Sequence, residues 1–325
     1  MKKLVTNFSK LLLVAGLTLA VGCNKDDDPA PTSPELKTIA EIASNDPNFS
    51  ILVDALTRTN LVAALNNPNA SLTVFAPTNA AFSDLLVELG LADLDAVEQA
   101  LGTEGLANVL LYHVLGAKVM SPNVSAGYAT TLGERAAGQN LSLYIATQGG
   151  VKINDRANVT TVDVEASNGV IHIIDKVILP LSMYGLLEVN PSYTALVAAL
   201  GVADGNLDDL TSDPAAGPFT LFAPNDAAFG ALLQALGLSD LGALVAAIGT
   251  DGVADVLLYH VVSGNIRSNQ VPSGDVTTVN GEDITISTAG GVTITDANGG
   301  TVTVTNVDIQ GTNGVIHTIN GVLLP

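Results

Sequence analysis

The sequence predicts an α+β chain built from two copies of one domain, and three observations carry that reading. Three phrases recur in the same order. TVFAPTNAAF at 73–82 returns as TLFAPNDAAF at 220–229, NVLLYHVL at 108–115 as DVLLYHVV at 255–262, and NGVIHIIDKVILP at 168–180 as NGVIHTINGVLLP at 313–325. The early part of each copy spaces its apolar residues as a helix does, and the later part turns to β-branched residues, Gly and Asn with strand-like alternation. Helices first and strands afterwards is the α+β order, and a period of about 140 residues is far too long for a solenoid.

The first element is a leader. Lys2, Lys3 and Lys10 precede an apolar run from Leu11 to Gly22, which reads as a secretory signal peptide over residues 1–22. The run is 12 residues long, whereas a spanning helix needs about 20. Ala20-Val21-Gly22-Cys23 resembles the lipobox of bacterial lipoproteins, which implies that Cys23, the sole cysteine, is lipidated. A lone reactive thiol is the alternative for such a residue. Paired acyl chains give stable anchoring. Asn24-Lys25-Asp26-Asp27-Asp28 resembles the signal that sends some Gram-negative lipoproteins to the outer face of the outer membrane, and Pro29, Pro31 and Pro34 stiffen a tether over 23–35. The expected location is therefore the outer membrane, lipid-anchored and exposed at the cell surface.

The two domains follow at 36–180 and 181–325. Phe82, Leu85, Leu86 and Leu89 fall at i, i+3, i+4 and i+7, as do Phe229, Leu232, Leu233 and Leu236, marking one apolar helix face in each copy. Thr78 or Asn79, and Asn225 or Asp226, stand where an N-cap belongs. A second helix is spaced by Leu106, Val109, Leu110, His113 and Val114, with Val253, Val256, Leu257, His260 and Val261 as its counterpart. In the penultimate strand the apolar positions step from Val159 to Val162 and Val164, and from Val304 to Val307 and Ile309. A three-residue step breaks the two-residue period, so a bulge or sheet switch is expected near Thr160-Thr161 and Thr305-Asn306.

Charge narrows the partners. Net charge is −20, and residues 181–325 carry Arg267 alone against fourteen acidic side chains. Such a surface repels phosphate backbones, so nucleic acid is excluded as a partner. All four histidines lie in the repeated phrases. His113 and His260 fall on an apolar helix face, and His172 and His317 in apolar strands, which predicts hydrogen-bonded core imidazoles. There is no Gly-x-Ser-x-Gly elbow and no His-Glu-x-x-His. Asp204-x-Asn206-x-Asp208 and Asp296-x-Asn298-x-Gly300 begin like calcium loops but lack the later ligands. No cofactor is expected.

The ordered set Thr-x-Phe-Ala-Pro-x-x-x-Ala-Phe, Tyr-His, and Asn-Gly-Val-Ile-His with a closing Leu-Pro resembles the fasciclin-type domain, across nearly all of residues 36–325. The resemblance implies two modules, each a helical subdomain packed on a wedge of two β-sheets, with a non-catalytic role in extracellular adhesion or surface binding. It also implies a candidate binding edge. An adhesive Asp-Ile pair of the family maps to Asp308-Ile309 and, less well, to Asp163-Val164. The Tyr-His block maps to Tyr112-His113 and Tyr259-His260. The flanking Asn306, Val307 and Gln310 depart from the best-known adhesive versions, which leaves the ligand open.

The expected function is thus a lipid-anchored surface protein whose partner is a surface or matrix protein or a polysaccharide, with membrane contact through Cys23. Two modules suit weak individual contacts, because the second benefits from high effective concentration. With Pro180 followed almost at once by Ser182-Met183-Tyr184, a fixed domain pair is expected. The alternatives are a glycan-binding accessory lipoprotein of outer-membrane uptake machinery and a hydrolase. Scarce aromatics, with no Trp, disfavour a deep glycan site.

Overall fold

A computed structural model describes residues 36–203, 207, 211, 213 and 217–325. The signal peptide, Cys23 with its tether, and the Asp204-Asn206-Asp208 stretch lie outside the described residues.

Each domain opens with helices fixed by their sequence. Thr38 caps the helix Ile39–Asn45 in a reciprocal capping box: its hydroxyl accepts from Glu41 N at 3.3 Å and its N–H donates to Glu41 Oε2 at 2.9 Å. Helix Ser50–Arg58 buries Leu52, Ala55 and Leu56. Thr78 caps Asn79–Leu89 and Asn225 caps Asp226–Leu236. The neighbouring Asn79 and Asp226 reach back instead to the preceding helix, accepting from Ile51 N at 3.0 Å and Ala195 N at 2.8 Å. Of two candidate caps in each copy, one caps and the other staples helix to helix. The long helix Leu94–Tyr112 breaks at Gly102, φ 72°, and Leu241–Leu258 breaks at Gly249, φ 75°. Glycine takes such a φ without a Cβ penalty.

The strands of the first domain are β1 Leu72–Pro77, β2 Val114–Leu115, β3 Gly127–Glu134, β4 Asn140–Ala146, β5 Lys152–Ile153, β6 Ala157–Ala166 and β7 Gly169–Ile174. The second domain has β8 Phe219–Pro224, β9 Val261–Ser263, β10 Gly274–Thr277, β11 Asp283–Ser287, β12 Thr293–Thr295, β13 Thr301–Gly311 and β14 Gly314–Ile319. Long β6 pairs with β5 at one end and β7 at the other, so it belongs to both sheets of the wedge, as β13 does between β12 and β14. In the first domain a single pairing, Leu115 with Thr131, joins β2 to β3 and closes the seven strands into a barrel. The second keeps the same strand order, open between β9 and β10.

The expected bulge is there. Register shifts in β6 between Val159 and Thr161 and between Thr161 and Val164, and in β13 between Val304 and Asn306 and between Asn306 and Ile309. Asp163 and Asp308 sit inside these shifts at φ 59° and 61°, a left-handed conformation that Asp tolerates better than most residues.

The repeated Asn-Gly-Val phrase is structural glue. Asn168 accepts from Ile39 N at 2.9 Å and donates to Leu65 O at 2.8 Å; Asn313 accepts from Met183 N at 2.9 Å and donates to Thr211 O at 2.7 Å. Each thus pins the first helix of its domain to the closing strand pair. Gly169 and Gly314 let parallel strands approach: a Cβ there would lie 2.2 Å from Leu72 O and 2.1 Å from Phe219 O.

The domains dock. Tyr128 on β3 donates its hydroxyl to Leu186 O at 2.7 Å, Gln310 N donates to Ser142 Oγ at 3.0 Å, and Arg135 Nε donates to Thr312 O at 3.1 Å. Residues 36–325 form one compact unit, in keeping with the fixed pair read from the short linker.

Candidate functional site

The bulge organises the candidate edge. The Asp163 carboxylate accepts the N–H of Ser121 at 2.7 Å and the Ser121 hydroxyl; Asp308 accepts the N–H of Ser268 at 2.8 Å and its hydroxyl at 2.6 Å. These bonds hold the Asp163 carboxyl below the usual carboxylate range, the hydroxyl contributing most and the amide next. The N–H of Asp163 in turn donates to His172 Nδ1 at 3.2 Å, and that of Asp308 to His317 Nδ1 at 3.3 Å. An imidazole accepting at Nδ1 carries its proton at Nε2. That proton goes to Val119 O at 2.9 Å in the first domain and to Ile266 O at 2.8 Å in the second. Strand, bulge and facing loop are therefore locked by a histidine ring bonded on both sides and by the aspartate carboxyl group.

The two inward groups leave one side chain facing out. Val162 is 44% exposed and Val307 42%, at matching positions immediately before the aspartates. The sequence stepped through them as apolar strand positions. The left-handed residue resets the pleat and turns both outward, so each copy presents an exposed valine beside a half-buried carboxylate.

Of the other members of the predicted edge, Val164 alone is partly exposed. Ile309 is buried in the second core and Val164 packs against the first. Tyr112, His113, Tyr259 and His260 are all buried, and as a binding edge they are corrected by that burial. Tyr112 donates to Ser142 O at 2.8 Å and Tyr259 to Asp283 O at 2.8 Å. His113 gives its Nδ1 proton to Val109 O at 2.7 Å and accepts Ile178 N at Nε2, 3.0 Å; His260 does the same with Val256 O at 2.7 Å and Leu323 N at 2.9 Å. Desolvation pushes both imidazoles down to about 4. These pairs brace the long helix against the closing Leu-Pro segment.

The second copy of the edge borders a cleft. Arg267 lies 3.8 Å from Asp308 and donates to Gly138 O of the first domain at 3.2 Å. Together with Gln139, Asn269 and Gln270 it lines a polar space of about 380 Å³ between the domains. Sequence reasoning missed this cleft because the residues come from both copies. The Asp296 carboxylate is taken up by its own turn and the C-terminal segment, accepting amides of Asn298, Gly300 and Leu324 at 3.1, 2.7 and 3.2 Å. Among the described residues, no three of His, Cys, Asp and Glu gather as metal ligands.

The geometry defines a docked tandem of helix-braced β domains, each offering one bulged edge. A sequence profile of the fasciclin domain matches residues 47–180 and 191–325, so the chain belongs to the fasciclin domain family. It is 41% identical over 146 residues to protein sll1483 of Synechocystis sp., covering 44% of this chain and 73% of that protein. It is 28% identical over 274 residues to the transforming growth factor-beta-induced protein ig-h3 of Sus scrofa, covering 78% of this chain but 35% of ig-h3. The chain thus spans about a third of that relative's length. Among solved structures, the FAS1 domain pair of the insect cell adhesion molecule Fasciclin I aligns over 88% of this chain and 96% of that one, at 20% identity and a TM-score of 0.49.

Proposed function

We propose that the chain is a non-catalytic adhesion protein, held by lipidated Cys23 on the outer membrane, that contacts a surface or matrix partner through the bulge tips Val162-Asp163 and Val307-Asp308. The observation that carries this is the pair of exposed valines, 44% and 42% accessible, each fixed beside an aspartate by the same hydrogen bonds in both domains. A rigid apolar side chain beside a carboxylate is a small contact with little ordering cost. Two of them on one docked unit favour multivalent binding. Membership of the fasciclin domain family supports adhesion as the class of activity.

The polar interdomain cleft supports a second reading, in which a glycan is held by Arg267, Gln139, Asn269 and Gln270 as part of an uptake assembly. Binding of residues 24–325 to matrix proteins, bacterial surfaces and glycans separates the two. The double variant Val162→Ser/Val307→Ser keeps every bulge hydrogen bond. It should weaken protein or surface binding at least tenfold and leave glycan binding alone. Unchanged adhesion in that variant rejects the bulge tips as the contact.

A further inference from the structure

Among the described residues, the helical layers of the two domains differ in the space between matching helices. In the second domain, helices Asp226–Leu236 and Leu241–Leu258 and the segment Val322–Pro325 enclose a groove of about 430 Å³. The corresponding elements of the first domain leave only about 30 Å³. Two differences of residue type accompany the opening. Ile51, which fills the first site, is matched by Ala195. The rim of the first site is sealed by ion pairs, Lys176 with Asp84 at 2.8 Å and with Glu88 at 3.8 Å, and Arg156 with Glu88. Asp84, Glu88 and Lys176 correspond to Ala231, Ala235 and Gly321, and residues 294–301 contain no Lys or Arg to replace Arg156. Leu85 and Leu94 are buried, whereas their counterparts Leu232 and Leu241 are half-buried on the groove wall.

We infer that this groove binds a single unbranched alkyl chain carrying a cationic head group. Its walls are mostly apolar, with Phe229 among aliphatic side chains, and its volume falls in the range of small-molecule sites, about 300–1,000 Å³. Water in such a space finds few polar partners, so an alkyl chain displaces it favourably. The head-group sign follows from the charges on the page. Asp255 is the one charged side chain on the lining, and it is exposed. Arg267, the sole basic residue of 181–325, is engaged elsewhere with Asp308 and Gly138 O. A carboxylate or phosphate head would meet no cation and a domain of fourteen acidic residues. An ammonium head would meet Asp255.

The test is calorimetric titration of residues 24–325 with decyltrimethylammonium and, separately, decanoate, below their micelle concentrations. One saturable site for the ammonium is expected, with decanoate at least tenfold weaker. Ala195→Ile, which restores the first domain's filling residue, should weaken the ammonium at least tenfold. Leu236→Ser, at an exposed rim position that folding does not depend on, should weaken it severalfold. Asp255→Asn should narrow the gap between the two heads. No saturable binding, decanoate equal to or tighter than the ammonium, or affinity indifferent to both Ala195→Ile and Leu236→Ser would overturn the assignment.

Discussion

The backbone N–H of Gln310 in the second domain donates to Ser142 Oγ of the first at 3.0 Å, and both residues are buried. Gln310 is further held by its own side chain, which donates to Asn265 Oδ1 at 2.8 Å and to Gly314 O at 2.8 Å. Nearby, Tyr128 reaches Leu186 O and packs edge-on against Tyr144, with ring centroids 5.3 Å apart. A buried polar bond flanked by two aromatic rings is a specific seam, since each group left unpaired there would cost about 1–3 kcal/mol.

The seam should make the two domains unfold as one. Tyr128→Phe removes one hydroxyl donor and should lower stability by about 1 kcal/mol in urea titration. Tyr128→Asp places a charge against Leu186 and Tyr193 of the second domain and should split the single transition into two. A Tyr128→Asp protein that still unfolds in one step, at unchanged midpoint, would show that the seam does not couple them.

Stability should fall on acidification through a defined window. The unfolded chain protonates His113 and His260 near pH 6.5, while the folded chain resists until about 4. Between those values the unfolded state binds more protons, so stability is full above 6.5, declines as pH drops, and stops declining on their account below about 4. Each histidine contributes on the order of 3 kcal/mol at most. Urea midpoints at pH 7, 5.5 and 4 check this. Against wild type, His113→Gln should show a shallower decline, because the carboxylates common to both cancel in the comparison. Parallel curves would refute it.

Glycines should divide by what crowds them. Gly314→Ala puts a Cβ 2.1 Å from Phe219 O and 2.8 Å from Met183 Sδ, between paired strands that cannot separate, and should cost roughly 3 kcal/mol or more. Gly90→Ala meets nothing within 4 Å and suffers only from its φ of 67°, so about 1 kcal/mol is expected. Equal losses in thermal melts would mean that backbone conformation, not strand approach, governs both sites.

What the sequence made legible was what the two copies share. The three-residue step at Val159, Val162 and Val164 located the bulge, because a broken two-residue period has few other solutions. Apolar spacing around His113 and His260 placed them in the core, and that residue-level reading overrules the binding role implied by family resemblance. The outward turn of Val162 and Val307 was not legible, since it depends on the left-handed φ of the next residue. Least legible were the features on which the copies differ. Tyr128 corresponds to Asp275, Ser142 to Asp283 and Gln310 to Glu165, so a search for matching phrases passes over the seam.

Those same differences predict that the pair does not add to itself end to end. The seam is heterologous: the β3–β4 face of one domain meets the β13 edge of the next, and such contacts, if repeated between chains, build open filaments. The faces that would meet in such an array are the β10–β11 face, bearing Asp275 and Asp283, and the β6 edge, bearing Asp163 and Glu165, the latter 3.7 Å from Lys118. Joining them would gather four carboxylates around the single Lys118 cation where the internal seam has Tyr128, Ser142 and Gln310, and the excess of like charge opposes association. Residues 36–325 should therefore run as a monomer in light scattering at all concentrations. The variant Asp275→Tyr/Asp283→Ser/Glu165→Gln/Lys118→Asn places the seam's Tyr128, Ser142, Gln310 and Asn265 at their counterparts and should associate in a concentration-dependent, head-to-tail manner. A wild-type chain that already associates, or a variant that remains monomeric, would show that charge at these faces is not what limits the array.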